Sequence, residues 1–105
     1  MRILSVHVGS TNIVFDNCMW SGYESIYLNG LLVSKKFSWL GVAHVFEVEE
    51  NGEWVEYIVT TGFGWRGITA DVCRNGIYLI TGGGMGTQVR LATPETVLYS
   101  ENDLV

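Results

Sequence analysis

Aromatic and arginine side chains outside the predicted strands are the residues of this sequence best suited to bind a partner. They are Trp20, Trp39, Phe63, Trp65 and Arg66. Trp, Phe and Arg offer large, rigid contact surfaces, and Trp and Arg are enriched at the energetic centres of protein interfaces. Two arrangements fit these residues. Either they line an exposed binding rim, or the rings fold inward and plug one end of a β-structure.

The glycine-rich segment 82–87 is a second candidate site, because exposed backbone N–H groups of such turns can hold anions. Its candidate ligand residues are Gly83, Gly84 and Met85, with Arg66 and Arg90 available to contact a phosphate-bearing or nucleotide ligand. The segment lacks the Gly-Lys-Ser/Thr ending of a phosphate loop, and a strand pattern rather than a helix follows it. A sharply bent connection between two strands is the alternative interpretation.

Glutamates around Asn51-Gly52 form a third candidate surface. The acidic hairpin comprises Glu47, Glu49, Glu50, Glu53 and Glu56, and the acidic surface assigned to it is Glu47, Glu49, Glu53 and Glu56. Like charges that face each other across strands reduce stability unless something compensates them, and a basic partner or a cation would do so. A solvated face that limits aggregation is the alternative. The sequence has no Asp-rich loop with calcium spacing, so it predicts no metal site.

The sequence gives little support for catalysis. His7 and His44 fall in predicted strands, and there is no Gly-x-Ser-x-Gly motif and no His/Cys cluster with metal-ligand spacing. His44 alternates in phase with Phe46 and Val48, which indicates a hydrogen-bonded core histidine. The sequence therefore predicts a protein that is not an enzyme and has no cofactor.

Three Asn-Gly dipeptides between segments rich in Val, Ile, Tyr, Leu and Trp indicate the elements that position these residues. Asn-Gly suits the positive φ angles of a type I′ turn, which makes it a strong hairpin signal. The predicted hairpins pair 23–28 with 31–37, 43–50 with 53–61, and 67–74 with 77–81. Further strands are predicted at 2–8, 11–15, 87–92 and 97–100, with a short helical turn as the alternative for 93–96.

A two-residue turn fixes the register of its hairpin. In the first hairpin the predicted pairs are Glu24 with Lys35, Ile26 with Val33, and Tyr27 with Leu32. In the second they are Phe46 with Tyr57, Val48 with Val55, Glu47 with Glu56, and Glu49 with Trp54. The second hairpin then has an acidic, solvated face and a core face that comprises Phe46, Val48, Val55, Tyr57 and Val59.

A chain that runs simply up and down places all three Asn-Gly turns at one end of the molecule. The connections 17–22, 38–42, 62–66 and 82–86 then meet at the other end, and they carry three of the four tryptophans. The whole pattern predicts one all-β domain over residues 1–105, an antiparallel β-sandwich or partly open barrel of about eight to ten strands.

Composition supports a chain that folds by itself. Of the 105 residues 48% are apolar and only 16% are charged, unlike a disordered segment. The net charge of −5 disfavours duplex nucleic acid and favours a basic partner.

There is no signal-peptide pattern and no membrane-length apolar run, so we expect a cytoplasmic protein that does not enter membranes. Cys18 and Cys73 are interpreted as free thiols, with a single disulfide between them as the alternative.

Residues 24–36, Glu-Ser-Ile-Tyr-Leu-Asn-Gly-Leu-Leu-Val-Ser-Lys-Lys, and 41–48, Gly-Val-Ala-His-Val-Phe-Glu-Val, carry a family resemblance. The pattern resembles small uncharacterised bacterial β-sandwich proteins and is similar to the β-sandwich domains of the Fas apoptotic inhibitory molecule family. It covers residues 23 to 80. It implies a β-sandwich and transfers no functional residue.

These observations lead to two functional hypotheses. The first is a non-enzymatic binding module that engages a protein partner through the aromatic loops or the acidic hairpin. The second is a protein that sequesters a nucleotide or another small anion, in the manner of a phage inhibitor of host defence. Unresolved edge strands also favour a homodimer.

Overall fold

The computed structural model describes residues 1–65, 67–91 and 99–100, and all regular elements among them are β-strands. The strands are β1 (Arg2–Val8), β2 (Thr11–Asn17), β3 (Tyr23–Leu28), β4 (Leu31–Phe37), β5 (Ala43–Glu50), β6 (Glu53–Gly64), β7 (Gly67–Arg74), β8 (Ile77–Gly83), β9 (Thr87–Leu91) and β10 (Tyr99–Ser100). They form two five-stranded sheets that pack together. The predicted all-β sandwich is confirmed, and the sheets do not close into a barrel.

Each sheet is mainly an antiparallel meander. The first sheet has the order β4-β3-β2-β1-β9 and the second has the order β10-β8-β7-β6-β5. After β8 the chain returns to the first sheet, so β9 pairs parallel with β1, and β10 pairs parallel with β8. The predicted meander does not contain these two parallel pairings. The alternation of apolar and polar residues predicts strands but does not show when the chain passes from one sheet to the other. The alternative helical turn at 93–96 lies outside the described residues.

Short turns close one end of the sandwich, which we call the turn end. Three of them are the predicted Asn-Gly turns, where Asn29, Asn51 and Asn75 have φ angles of 47°, 52° and 47°. Gly9-Ser10 connects β1 to β2 at the same end. The side chains of Asn29 and Asn75 also accept backbone hydrogen bonds from the neighbouring strands. The predicted turns are therefore confirmed.

The second hairpin, β5 and β6, has the predicted register. Its pairs include Phe46 with Tyr57, Val48 with Val55, Glu47 with Glu56, and Glu49 with Trp54. The predicted core face is buried: Phe46, Val48, Val55, Tyr57 and Val59. The glutamates of the other face are exposed: Glu47, Glu49, Glu53 and Glu56. Both faces are as predicted.

The first hairpin, β3 and β4, contains a β-bulge that the sequence analysis does not anticipate. Next to the turn, Tyr27 lies opposite Leu32 as predicted. Beyond the bulge, an extra residue in β4 moves every pair by one position. Two predicted pairs are therefore wrong: Ile26 meets Ser34 instead of Val33, and Glu24 meets Lys36 instead of Lys35. The shift places Ser34 within hydrogen-bonding distance of a buried histidine on β5.

Among the described residues there is no helix that could pass through a lipid bilayer. Cys18 and Cys73 are both free thiols, Cys18 exposed and Cys73 buried.

Candidate functional site

The end of the sandwich opposite the Asn-Gly turns carries a second set of connections, and we call it the rim. Residues 18–22, 38–42 and 84–86 connect strands there, as does the tip of the β6–β7 hairpin at Trp65. Residues from these connections and the adjoining strand ends line shared cavities. The predicted placement of these connections opposite the Asn-Gly turns is confirmed, but the predicted long connection 62–66 is wrong, because β6 continues to Gly64 and β7 begins at Gly67. Strands β2 and β8 also extend further toward the rim than predicted.

The aromatic side chains of the rim are exposed. Trp20 and Trp65 are 96% and 106% exposed, and Trp39 and Phe63 are 58% and 64% exposed. Met85, in the glycine-rich connection, is exposed as well. The alternative in which these rings plug the end of the sandwich is therefore wrong. Their part in binding a partner stays a prediction.

The other predicted ligand residues do not join them. Gly83 is buried in β8, where an added Cβ would lie 2.9 Å from the Leu4 side chain, so its position serves packing and not an exposed anion cradle. Gly84 is half-buried, and Arg90 is exposed on β9 without lining either rim cavity. Arg66 lies outside the described residues.

Trp39 and Phe63 border a small cavity of about 80 Å³ beneath the rim. The cavity is lined by Asn17, Met19, Glu24, Ser38, Trp39, Leu40, Gly41, Gly62, Phe63 and Ile68. A second cavity of about 140 Å³ shares Met19, Phe63 and Ile68 with it and includes Met85. The structure thus brings Trp39, Phe63 and Met85 together, whereas Trp20 and Trp65 line neither cavity.

Neighbouring rings hold Trp39 in place. Phe37 packs edge-on against Trp39 with ring centroids 5.9 Å apart, and Tyr23 packs against Phe37 at 5.6 Å. Gly22, at φ 77°, leaves room for the indole, because a Cβ there would lie 2.9 Å from it. A ring that is already fixed loses less conformational entropy on binding. Trp39 is therefore a preorganised contact surface.

The connection 38–42 lies tightly against β6. Gly41 has φ 126°, and a Cβ there would lie 2.3 Å from the carbonyl oxygen of Thr61, so only glycine fits. The Gly41 amide donates to Ser38 Oγ at 2.8 Å, and the Val42 amide donates to Thr61 Oγ1 at 3.0 Å. These contacts fix the wall of the cavity that Ser38 and Gly41 form.

Glu24 lines this cavity although only 3% of its surface is exposed. Its Oε1 accepts hydrogen bonds from Thr61 Oγ1 at 2.6 Å and from His44 Nε2 at 3.1 Å. His44 is fully buried, and its Nδ1 lies 2.7 Å from Ser34 Oγ. The network links β3 and β4 of the first sheet to β5 and β6 of the second. The predicted hydrogen-bonded core histidine is confirmed.

Burial lowers the pKa of His44, and this effect outweighs the hydrogen bond and the charge of Glu24, which raise it. The imidazole is therefore neutral near pH 7. The network assigns its proton to Nε2, which donates to Glu24, so Nδ1 accepts from the Ser34 hydroxyl. His44 consequently supplies a hydrogen bond to Glu24 but no positive charge.

The hydrogen bonds run from Ser34 through His44 to Glu24, as they do in a serine–histidine–acid triad. However, neither Ser34 nor His44 lines the rim cavity, and the imidazole is inaccessible. We assign the network a structural role, which is to hold the edges of the two sheets together. Only Glu24 of these three residues reaches the candidate site.

Sequence analysis missed part of this site. The missed lining residues are Asn17, Met19, Glu24, Ser38, Leu40, Gly41, Gly62 and Ile68. A signal for Glu24 was present, because it alternates with the core residue Ile26 and so belongs to the inner face of β3. No sequence signal shows that Ile68 of β7 meets residues of the first sheet.

Glu50, at the turn end, has a different environment. Its Oε1 accepts from Arg74 Nη2 at 2.8 Å, and its Oε2 accepts from Tyr57 Oη at 2.5 Å and Thr11 Oγ1 at 3.1 Å. Burial would raise the pKa of Glu50, but the hydrogen bonds from Tyr57, Arg74 and Thr11 and the charge of Arg74 outweigh it and lower the pKa. This carboxylate is fully paired.

A more polar groove of about 260 Å³ lies on the outer face of the first sheet. Its lining includes Cys18, whose pKa is lowered by hydrogen bonding from Ser21. Within the part of the chain that the structure describes, no group of three or more His, Cys, Asp or Glu side chains has the geometry to hold a metal ion.

Comparisons with protein-family models, with curated proteins and with solved structures found no match to this chain. The resemblance to the Fas apoptotic inhibitory molecule family stays a prediction.

Proposed function

We propose that this protein is a non-enzymatic binding module that engages a protein partner through its rim. The observation that carries the proposal is the concentration of exposed large apolar side chains at this end of the sandwich. They are Met19, Trp20, Trp39, Leu40, Phe63, Trp65 and Met85. A concentration of exposed apolar side chains is typical of interaction sites in soluble proteins, and tryptophans commonly dominate the binding energy of an interface.

The charge of the molecule favours a basic partner. The net charge is −5, and the exposed glutamates of β5 and β6 add a second acidic surface: Glu47, Glu49, Glu53 and Glu56. Complementary charge raises the association rate and disfavours partners of the same sign. In this proposal the rim supplies affinity, and the acidic hairpin contributes through its long-range field.

Affinity capture with matched tryptophan variants tests the rim. Trp65→Ala removes a fully exposed rim ring, whereas Trp54→Ala removes an exposed ring of β6 that lies opposite Glu49, beside a turn. Immobilised wild type and each variant are incubated with extract of the cells that produce the protein, and retained proteins are identified by mass spectrometry. We expect a partner that wild type and Trp54→Ala retain and that Trp65→Ala loses. Equal retention by all three proteins would overturn the proposal.

The geometry disfavours the second hypothesis, sequestration of a nucleotide or anion, at this cavity. The Glu24 carboxylate lines the cavity and would repel an anion, and Gly83 is buried. Native mass spectrometry of protein purified from its own cells tests the hypothesis directly. A stoichiometric anionic ligand on the wild type would favour sequestration over a protein partner.

Self-association through β4 is a separate proposal. This strand is the edge of the first sheet, and all its residues except Ser34 are exposed, including Leu31, Leu32 and Phe37. An uncovered apolar edge strand is a template for pairing with another chain. We expect a concentration-dependent homodimer in analytical ultracentrifugation that Leu32→Lys dissociates. A monomer at all concentrations would rule the homodimer out.

A further inference from the structure

We infer that the cavity beneath the rim binds the ammonium group of a lysine side chain presented by the partner. This inference rests on the proposed function and names the chemistry that the site recognises. Its basis is Glu24, a 3% exposed carboxylate that lines the cavity. A cation in the cavity would meet a buried negative charge below it and aromatic rings at its mouth.

The hydrogen bonds of Glu24 leave room for a donor. Thr61 and His44 both donate to Oε1, and no described residue donates to Oε2. The neutral imidazole of His44 does not balance the carboxylate charge. A buried carboxylate without a cation is unfavourable, so a ligand that supplies one positive charge and one donor completes the site.

The nearest lysine of the chain does not fill this role. Lys36 lies opposite Glu24 in the β3–β4 pair, but its ammonium group donates to the Ala43 carbonyl oxygen at 2.9 Å. Within the described residues no lysine or arginine forms an ion pair with Glu24, whereas Arg74 pairs with Glu50. Among the described residues, a cation therefore pairs with the Glu50 carboxylate and none pairs with Glu24.

The size and walls of the cavity favour lysine over arginine. A volume of about 80 Å³ accommodates a few heavy atoms, which suits the end of an alkylammonium chain. Arginine prefers two acceptor oxygens in a fork, and Oε1 of Glu24 is already occupied. The apolar walls, Met19, Leu40 and Ile68, suit the methylene stem, and Trp39 and Phe63 can attract the charge through their ring faces.

Titration with n-butylammonium chloride tests the inference, with 1-butanol in matched sodium chloride as the neutral control. Two-dimensional NMR follows the Gly41 and Gly62 amides and the Trp39 indole in wild type, Glu24→Gln and Glu47→Gln. Glu47→Gln removes an equal charge from an exposed position outside the cavity. We expect saturable shifts at these three signals with butylammonium only, and about tenfold weaker binding in Glu24→Gln.

Phe63→Ala provides a second variant, because Phe63 is exposed and its removal leaves the Glu24 network untouched. It should also weaken butylammonium binding.

No saturable shift in the wild type, or equal affinities in Glu24→Gln and Glu47→Gln, would overturn the inference. A partner lost from Trp65→Ala but not displaced by butylammonium would leave the rim proposal intact and reject the lysine pocket. Unchanged capture by Trp65→Ala would reject the rim alone.

Discussion

Each end of the sandwich contains a hydrogen-bonded glutamate, buried Glu24 at the rim and partly buried Glu50 at the turn end, and the two have different partners. At the turn end, Glu50 receives hydrogen bonds from Arg74, Tyr57 and Thr11. At the rim, the donors to Glu24 among the described residues are the neutral side chains of Thr61 and His44, and the carboxylate lies beside a cavity. At the turn end the Glu50 carboxylate is thus paired with a cation, whereas at the rim none of the described cations pairs with Glu24 beneath the exposed aromatic rings.

This contrast separates stability from binding within one small fold. The paired, partly buried Glu50 carboxylate joins the two sheets, because Thr11 belongs to the first sheet and Glu50 to the second. An unpaired carboxylate beneath apolar surface lowers the stability of the free protein unless a ligand compensates it. Proteins commonly accept such local costs at functional sites. The following predictions test whether the two ends differ in this way.

The largest expected effect comes from a matched pair of glycine variants. Gly41 and Gly52 both have positive φ, but a Cβ at Gly41 would clash with the Thr61 carbonyl oxygen, whereas at Gly52 it would meet nothing within 4 Å. We expect Gly41→Ala to destabilise the protein by about 3 kcal/mol and Gly52→Ala by about 1 kcal/mol. Urea unfolding of both variants measures the difference. Equal losses would show that the rim connection is not held tightly.

The second largest effect is the difference in stability between the Gln variants of Glu50 and Glu24. Glu50→Gln should cost about 2 kcal/mol, because it removes the charge from the hydrogen bonds with Arg74. Glu24→Gln should cost less than about 1 kcal/mol, because its amide oxygen can still accept from Thr61 and His44 while the charge disappears. Chemical denaturation of both variants at pH 7 gives the comparison. A larger loss in Glu24→Gln would mean that its charge is compensated in the free protein.

Sequence analysis anticipated the turn end better than the rim. Asn-Gly turns act locally, so strand bounds, the β5–β6 register and the exposed glutamates could be predicted from short segments. The β-bulge in β4, the parallel pairing of β9 and the approach of Ile68 to Trp39 depend on packing between distant segments. Glu24 illustrates the limit, because alternation places it inside while its partners come from β5 and β6.

Two groups should contribute to the pH dependence of stability, His44 from pH 6.5 downward and Glu50 from pH 4.5 downward. The folded-state pKa of His44 lies below its ordinary value of 6.5, so the unfolded chain binds a proton first, and stability falls as pH drops below 6.5. The folded-state pKa of Glu50 lies below 4.5, so its stabilisation is present above 4.5 and is lost as pH falls through the folded value. Each slope is at most about 1.4 kcal/mol per pH unit.

Two variants test which group causes each loss of stability. His44→Gln should flatten the slope below pH 6.5 and leave the loss of stability below pH 4.5, and Glu50→Gln should do the reverse. Free energies of unfolding at half-unit pH steps provide the measurement. A slope between pH 6.5 and pH 4.5 that persists in His44→Gln would assign that loss to another group.

The alanine variants of Trp65 and Trp54 should have the smallest effect on stability, and they also test whether the rim binds a partner. Trp65 is fully exposed and Trp54 is 68% exposed, so each alanine variant should change the free energy of unfolding by less than about 0.5 kcal/mol. Acrylamide should quench both indoles in the wild type. On addition of a partner, quenching should fall in wild type and in Trp54→Ala, where rim tryptophans remain as reporters. If the partner instead protects only Trp54, the acidic hairpin is the binding surface, and the open rim must have another role.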